Sequence, residues 1–273
     1  MPPIAVNHAW ASSLSSVVLL EVPFGYCLQL LQLLPNLIEF RARGRRFHSS
    51  DLPALDKELV LPKMEIFEWS FARDESSISL LRYVHLPSLR TLGLGLIGYD
   101  EVEPATSGLF LKRLPPTVTE LELVWFSADP DQAGVDWEII FPPLVSVRKL
   151  SLIQCSLAST EEILGCLAYK KRWLPALAEI CIIDRDPAEM EKYDDTPIPK
   201  GDDDYKIEVR KAVLRFAETR RDGLGSGFDV KTIGRRLGWS LRDKKRVDVL
   251  ISRGLRLGIL EDEQLVECLY SNI

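Results

Sequence analysis

The chain has 273 residues, 46% apolar and 27% charged, with a net charge of −6; this suits a folded protein of two domains or one elongated domain with a cap, and excludes wholesale disorder. Three histidines and five cysteines (Cys27, Cys155, Cys166, Cys181, Cys268) are scattered, with no CxxC pair and no histidine at ligand spacing from a cysteine. Neither a zinc site nor a disulfide framework is expected, and no cofactor or metal is implied. No run approaches the ~18 apolar residues of a membrane span, and no basic-then-apolar leader opens the sequence, so the expectation is a cytoplasmic or nuclear protein with reduced thiols and no membrane partner.

Self-similarity organises the first two thirds of the chain. The pattern L-x-x-L-x-L, with apolar substitutions, recurs at Leu14, Val17, Leu19; Leu37, Phe40, Ala42; Met64, Phe67, Trp69; Leu89, Leu92, Leu94; Val118, Leu121, Leu123; Val147, Leu150, Leu152; and Leu177, Ile180, Ile182. The middle anchors are spaced 23, 27, 25, 29, 29 and 30 residues apart, at or near the ~20 to 29 of a leucine-rich repeat. Six copies follow a proline: Pro35, Pro62, Pro87, Pro115 with Pro116, Pro142 with Pro143, and Pro175. Proline disfavours helix in the residue before it, so each step ends one element before a strand begins.

Between the anchors, 26–34, 77–84, 107–114 and 159–172 have helical apolar spacing, the last capped by Ser159 or Thr160. A single strand-helix unit cannot bury its own apolar face, whereas stacked units share a continuous column of side chains. The expected fold is therefore α/β: a leucine-rich-repeat solenoid, or horseshoe, of about seven irregular repeats over residues 1–184 with a C-terminal α/β cap.

Residues 185–204 combine three prolines with a run of acids and lack EF-hand spacing, so they read as a linker or long loop. Residues 205–273 carry a helical face (Tyr205, Val209, Ala212, Val213, Phe216), a second helix from Leu241 that Gly254 can close, and a strand-like alternation at Leu255, Leu257 and Ile259. They suit a cap repeat. The charge is uneven, with 15 basic against six acidic residues over 205–260 and 19 against 30 before it. That leaves an alternative, a winged-helix-like domain with Val230, Ile233 and Leu237 on its middle helix and Arg235, Arg236, Arg242, Lys244, Lys245 and Arg246 facing nucleic-acid phosphates.

Side chains alternate along a strand, so residues between the anchors point to the face opposite the core. The expected partner-binding set on this concave face is Glu39, Arg41, Arg43, Glu68, Ser70, Thr91, Glu120, Glu122, Lys149, Ser151 and Glu179. Arg41, Arg43, Arg45 and Arg46 make one end basic, Glu68, Glu120 and Glu122 the middle acidic, and Ile153, Cys181 and Ile183 the far end apolar. Such an order suits a protein partner of matching charge, or simply keeps a sheet soluble. Gly93, Gly95 and Gly98 spell GxGxxG, but no helix follows to meet a pyrophosphate. Glu120 and Glu122 share a strand face without a recognisable catalytic partner, and no catalytic residue is assigned.

The stretch WASSLSSVVLLEVPFGYCLQLLQLLPNLIEFRARG (10–44), with LPSLRTLGL, FLKRLPPTVTELELVWF, FPPLVSVRKLSL and WLPALAEICII further on, resembles the leucine-rich-repeat region of F-box-like proteins of mushroom-forming (basidiomycete) fungi. The resemblance covers most of residues 10–184. It implies repeats that select a substrate for a cullin-type ubiquitin ligase, with an F-box ahead of them to bind the adaptor. Only nine residues precede Trp10, so the F-box is expected to be absent and the adaptor to be engaged only if one is supplied elsewhere. The resulting expectation is a non-catalytic protein-binding module, with binding of nucleic acid through 205–260 as the alternative.

Overall fold

The computed structural model describes residues 13–20, 22–44, 58–71, 81–95, 109–125, 137–183, 202–220, 228–233 and 241–260. The elements in chain order are β1 (Ser16–Leu20), α1 (Phe24–Leu33), β2 (Glu39–Gly44), β3 (Leu59–Val60), β4 (Ile66–Phe71), β5 (Val84–His85), β6 (Thr91–Gly95), β7 (Glu120–Val124), α2 (Trp137–Ile140), β8 (Lys149–Ile153), α3 (Leu157–Tyr169), β9 (Glu179–Ile183), α4 (Asp202–Arg220), β10 (Asp229–Ile233), α5 (Leu241–Ile251) and β11 (Arg256–Leu260). Nine strands form one sheet in the order β1-β2-β4-β6-β7-β8-β9-β10-β11, every neighbouring pair parallel, while β3 and β5 pair separately. Strand order thus follows chain order.

Two local devices repeat from coil to coil. A turn closes ahead of β2, β4, β6, β7, β8 and β9, its last N–H donating to the carbonyl three residues upstream: Leu37 to Leu34 (3.2 Å), Met64 to Leu61 (3.3 Å), Leu89 to Leu86 (3.3 Å), Val118 to Pro115 (3.1 Å), Val147 to Leu144 (3.3 Å) and Leu177 to Leu174 (3.1 Å). Pro35, Pro62, Pro87, Pro116 and Pro175 occupy the second position of these turns, where a fixed φ near −65° is already correct. Then one carbonyl of the preceding coil accepts two successive N–H groups: Ser15 from Ile38 and Glu39, Ile38 from Glu65 and Ile66, Glu65 from Arg90 and Thr91, Arg90 from Thr119 and Glu120, Thr119 from Arg148 and Lys149, Arg148 from Ala178 and Glu179. The prolines therefore shape turns as well as ending elements.

With register set this way, the anchors stack behind the sheet. Phe40, Phe67, Leu92, Leu121, Leu150 and Ile180 form one buried row, and Ala42, Trp69, Leu94, Leu123, Leu152 and Ile182 the next. Phe40, Phe67 and Trp69 stack with centroids 5.8 to 6.3 Å apart, and Phe24 of α1 meets Trp69 edge-on at 5.4 Å. All five described helices bury apolar residues in this one core. On β1, at the sheet's edge, Val17 and Leu19 are only partly buried, as is Leu14 just ahead of it.

Three expectations change. Helix α3 begins earlier than 159, capped by Ser156, whose Oγ accepts from Ser159 N at 3.2 Å; Ser159 and Thr160 are buried inside the helix. Residues 229–233 are a strand, β10, with Val230 in the core opposite Ile180 and Leu257, so Val230 and Ile233 do not lie on the middle helix of a winged-helix unit. Residues 202–204, placed in the acidic linker, already belong to α4. As expected, α5 closes at Gly254, whose φ of 101° suits glycine, and Leu255 N returns to Leu250 O at 3.0 Å. The stretches 77–80, 107–108, 185–201 and Leu237 lie outside the described residues.

Helix α4 is fastened to α3 by Arg220, which is buried. Its Nε donates to Leu167 O at 2.7 Å and its Nη2 to Lys170 O at 3.5 Å and Trp173 O at 2.5 Å, satisfying carbonyls at the end of α3. Burial holds this guanidinium below its ordinary pKa. Arg220→Met keeps the stem but takes the donor away from Leu167 O and Trp173 O, while Lys170 O keeps Trp173 N; a loss of about 2 to 3 kcal/mol is expected from urea denaturation, and an unchanged midpoint would refute the capping role. On α1, burial pushes the Cys27 thiol up to about 12 from 9.0, a backbone hydrogen bond opposing it. In the unfolded chain this thiol ionises first, so its contribution to stability is lost as pH rises from about 9 towards 12. Native alkylation at about pH 8 should reach the half-buried Cys166 well before Cys27, as mass spectrometry would record.

Candidate functional site

The face opposite the core carries three rows, two residues apart along each strand. Row one is Ser16, Glu39, Ile66, Thr91, Glu120, Lys149, Glu179, Asp229 and Arg256; row two is Val18, Arg41, Glu68, Gly93, Glu122, Ser151, Cys181, Lys231 and Gly258; row three is Leu20, Arg43, Ser70, Gly95, Val124, Ile153, Ile183, Ile233 and Leu260. All eleven expected partner-binding residues lie in these rows. Their accessibility differs from expectation: Glu39, Glu68, Ser70, Thr91, Glu122 and Ser151 are buried, and Arg41 and Arg43 are largely so.

The reason is mutual pairing. Arg41 Nε donates to Glu39 Oε1 at 2.8 Å, and its Nη1 to Glu122 Oε2 at 2.6 Å and Glu68 Oε2 at 3.0 Å. Arg43 grips Glu68 with two donors, Nε on Oε1 and Nη2 on Oε2, the latter at 2.9 Å. Ser16 Oγ donates to Glu39 Oε2 at 2.8 Å. Burial works against the charge on Arg41 and Arg43, but the carboxylates, Glu122 foremost for Arg41 and Glu68 for Arg43, outweigh it and hold both guanidiniums above their ordinary pKa. The anticipated basic end and acidic middle are thus one interlocked cluster of three carboxylates and two guanidiniums. Arg45 and Arg46 lie outside the described residues.

Strand β6 makes this cluster possible. A Cβ on Gly93 would come within 2.5 Å of Glu68 Cγ and 2.8 Å of its Cβ, and one on Gly95 would stand 1.7 Å from Ser70 Oγ. Glu68 and Ser70 therefore lean into a furrow left by the two glycines, and Arg41 of β2 reaches Glu122 of β7 across it. Two of the glycines that spell a nucleotide motif instead make room for a buried carboxylate.

Along β7 to β9 the face changes character. Val124, Ile153, Cys181 and Ile183 form a small apolar cluster with Trp125 against it, so the far end is packed upon itself and not laid open. Trp125 and Gln154 follow consecutive strands at φ 55° and 53°, a conformation costly for side chains of this size. Both continue the ladder, Trp125 N donating to Ile153 O and Gln154 N to Ile183 O at 2.8 Å, and Trp125 Nε1 donates to Gln154 Oε1. The Arg43 guanidinium stands 5.8 Å from the Trp125 ring centre, which links the two regions. In row one, Lys149 pairs with Glu120 at 3.3 Å, Lys231 with Glu179 at 2.8 Å and Arg256 with Asp229; these side chains are the more accessible ones. The roles of Trp125, Gln154, Lys231 and Arg256 were missed in the sequence, although row position identifies the last two once β10 and β11 are known to be strands.

Of the residues assigned to phosphate contact, Arg235 and Arg236 lie outside the described residues, and Arg242 is on α5 with its side chain undescribed. Arg246 is held by Glu218 through two bonds of 2.7 Å, while Lys244 and Lys245 are exposed on α5.

No family model matches the chain, and no curated protein matches its sequence. Among solved structures, a distant likeness is to the leucine-rich-repeat-containing protein LegL7 from Legionella pneumophila, 11% identical, covering 92% of this chain and 85% of that one with a TM-score of 0.37.

Neither Gly93 nor Gly95 needs a left-handed backbone, so the cost of a methyl group there is spatial alone. Gly93→Ala should displace Glu68 and lower stability by about 2 to 4 kcal/mol in chemical denaturation, because an ousted carboxylate deprives Arg43 of its paired acid and Arg41 of one of three. Gly165→Ala, which meets nothing within 4 Å, is the control. Equal effects of the two substitutions would overturn the furrow's role.

Proposed function

We propose that this chain is a non-catalytic protein-binding module of the leucine-rich-repeat type, a solenoid of irregular coils capped by its C-terminal segment. The observation that carries this reading is the six-fold recurrence of the turn, proline-shaped in five of its copies, and of the shared carbonyl, which stacks strands in chain order and lines up three rows of chemically varied side chains on one face. Supporting it, every described helix contributes to the core behind the sheet, whereas the second apolar cluster, among the described residues, consists of strand residues and Trp125. Rigid rows on a preformed sheet contact a partner without an ordering cost. The carboxylates that could have divided acid and base roles, Glu120 and Glu122, are engaged by Lys149 and Arg41. The sequence resemblance to F-box-like repeat proteins makes the substrate of a ubiquitin ligase the natural partner.

Site-specific photo-crosslinkers separate the faces. Placed at Lys149 or Lys231 on the sheet face they should capture the same protein species from source-cell extract, and at Lys171 or Arg215, exposed residues of the helical side, they should not. Equal capture from both sides would sink the reading, and adaptor or cullin subunits among captured species would tie it to a ligase.

A further inference from the structure

We infer that β1 is an association edge, on which a second copy of this chain pairs antiparallel about a two-fold axis at Val18, so that one sheet runs through both molecules. Among the described residues no strand lies on the outer side of β1. Ser15 O is turned to β2, where it accepts from Ile38 and Glu39. Backbone groups alternate along a strand, so Ser16, Val18 and Leu20 turn their N–H and C=O groups to the outer edge. Edge strands are ordinarily guarded by charge, proline or a bulge, because a bare row of donors and acceptors recruits another strand. The SVVLL of β1 pairs with β2 in unbroken register and has none of these guards, and Val18 and Leu20 are 46% and 63% exposed.

The coil behind this edge is a second, independent observation. Residues 14–38 contain one charged side chain, Glu21, in a chain where 27% of residues are charged. Helix α1 has none, and its Leu33 is exposed. A stacked repeat array needs a polar outer face on its terminal coil to stay dissolved. The opposite end of the sheet has one, since α5 shows Lys244, Lys245 and Asp248 to water and Arg256 of β11 is exposed beside Asp229. A copy of this chain suits the uncharged end. Around Val18, each Ser16 faces the other chain's Leu20 and each Val17 its Leu19, so no like charges meet. Ser16, Val18 and Leu20 then fall in pairs that exchange both their N–H···O bonds. An axis normal to the sheet keeps both cores on the same side, where the partly buried anchors Leu14, Val17 and Leu19 of the two molecules close on each other. Such a contact is isologous and ends at two copies.

Sedimentation equilibrium of the full chain over a concentration series should show a mass rising towards twice the 30.9 kDa of one chain, and no further. Val18→Lys sets two ammonium groups against each other on the axis and should raise the dimer Kd by about tenfold or more, or 1.4 kcal/mol. Val249→Lys, at a comparably exposed apolar residue of α5, is the control and should stay within about twofold of the parent. A second measurement does not depend on how the lysine variant folds. Val18→Cys puts two thiols at the one position that meets itself, within disulfide reach, and mild oxidation should link the chains as a dimer on a non-reducing gel. Leu20→Cys, whose counterpart lies across and along the sheet, is beyond that reach and should link no more than the parent. A monomer at every concentration would overturn the inference and leave the edge to another segment of this chain or to a foreign strand. Equal weakening by Val18→Lys and Val249→Lys, equal linking of Val18→Cys and Leu20→Cys, or growth past two copies, the mark of head-to-tail stacking of β1 on β11, would overturn it too. No partner protein enters this test, so its outcome is read apart from the photo-crosslinking of the sheet face.

Discussion

Everything distinctive about this molecule depends on how each coil is joined to the one before it. A turn brings the chain round at the first anchor, and a single carbonyl then grips two successive amide N–H groups of the next coil. Two donors on one acceptor leave little freedom to slide, and a slip of one residue would send every anchor to the opposite face. The apolar column is therefore a consequence of main-chain hydrogen bonding as much as of leucine content. Proline contributes by presetting the turn, and it does so without forfeiting a bond, since the second residue of such a turn donates none within it.

Fixed register has an electrostatic consequence on the other face. Equivalent positions on parallel strands lie side by side at about 4.8 Å, so like charges in neighbouring coils would confront each other. Row two avoids this by placing Arg41 beside Glu68, then leaving Gly93 empty before Glu122. From β2 to β7 is three strand spacings, about 14 Å, further than one arginine reaches unless both partners lean inwards over an unobstructed strand. Gly93 provides that clearance, and Glu68 fills it. Burying five charged groups is costly unless each finds its counterpart, and here the counterparts come from three strands that are distant in sequence.

This explains what could and could not be seen in the amino-acid order. Anchor spacing and the prolines are local properties, and they located the core residues of β2, β4, β6, β7, β8 and β9 and the face on which the remaining residues lie. The ion pairs are not local: Arg41 and Glu122 are 81 residues apart, and nothing in either neighbourhood marks them as partners, so their charges were read as an exposed pattern. The segment DVKTI was misread for a different reason. Its apolar residues Val230 and Ile233, with Leu237 beyond, also satisfy helical spacing, and only pairing with β9 and β11 decides the matter in favour of a strand. The left-handed backbone at Trp125 and Gln154 had no sequence signal, since glycine or asparagine would ordinarily be sought there.

The C-terminal segment shows why an excess of basic residues is a poor guide to a binding surface. Lys231 and Arg256 extend row one by pairing with Glu179 and Asp229, Arg246 joins α5 to α4 through Glu218, and Arg220 ends α3 by donating to its carbonyls. Each of these four cations connects β10, β11, α4 or α5 to a neighbouring element, so part of the positive charge belongs to the joints of the structure. Lys244, Lys245 and Arg253 remain exposed, and they lie on or just beyond α5, whose buried residues Val247 and Leu250 face the core behind the sheet. A polyanion drawn to them would approach from the helical side, whereas the furrow and the charged rows face the other way. Lys244, Lys245 and Arg253 and the sheet face are therefore separate surfaces.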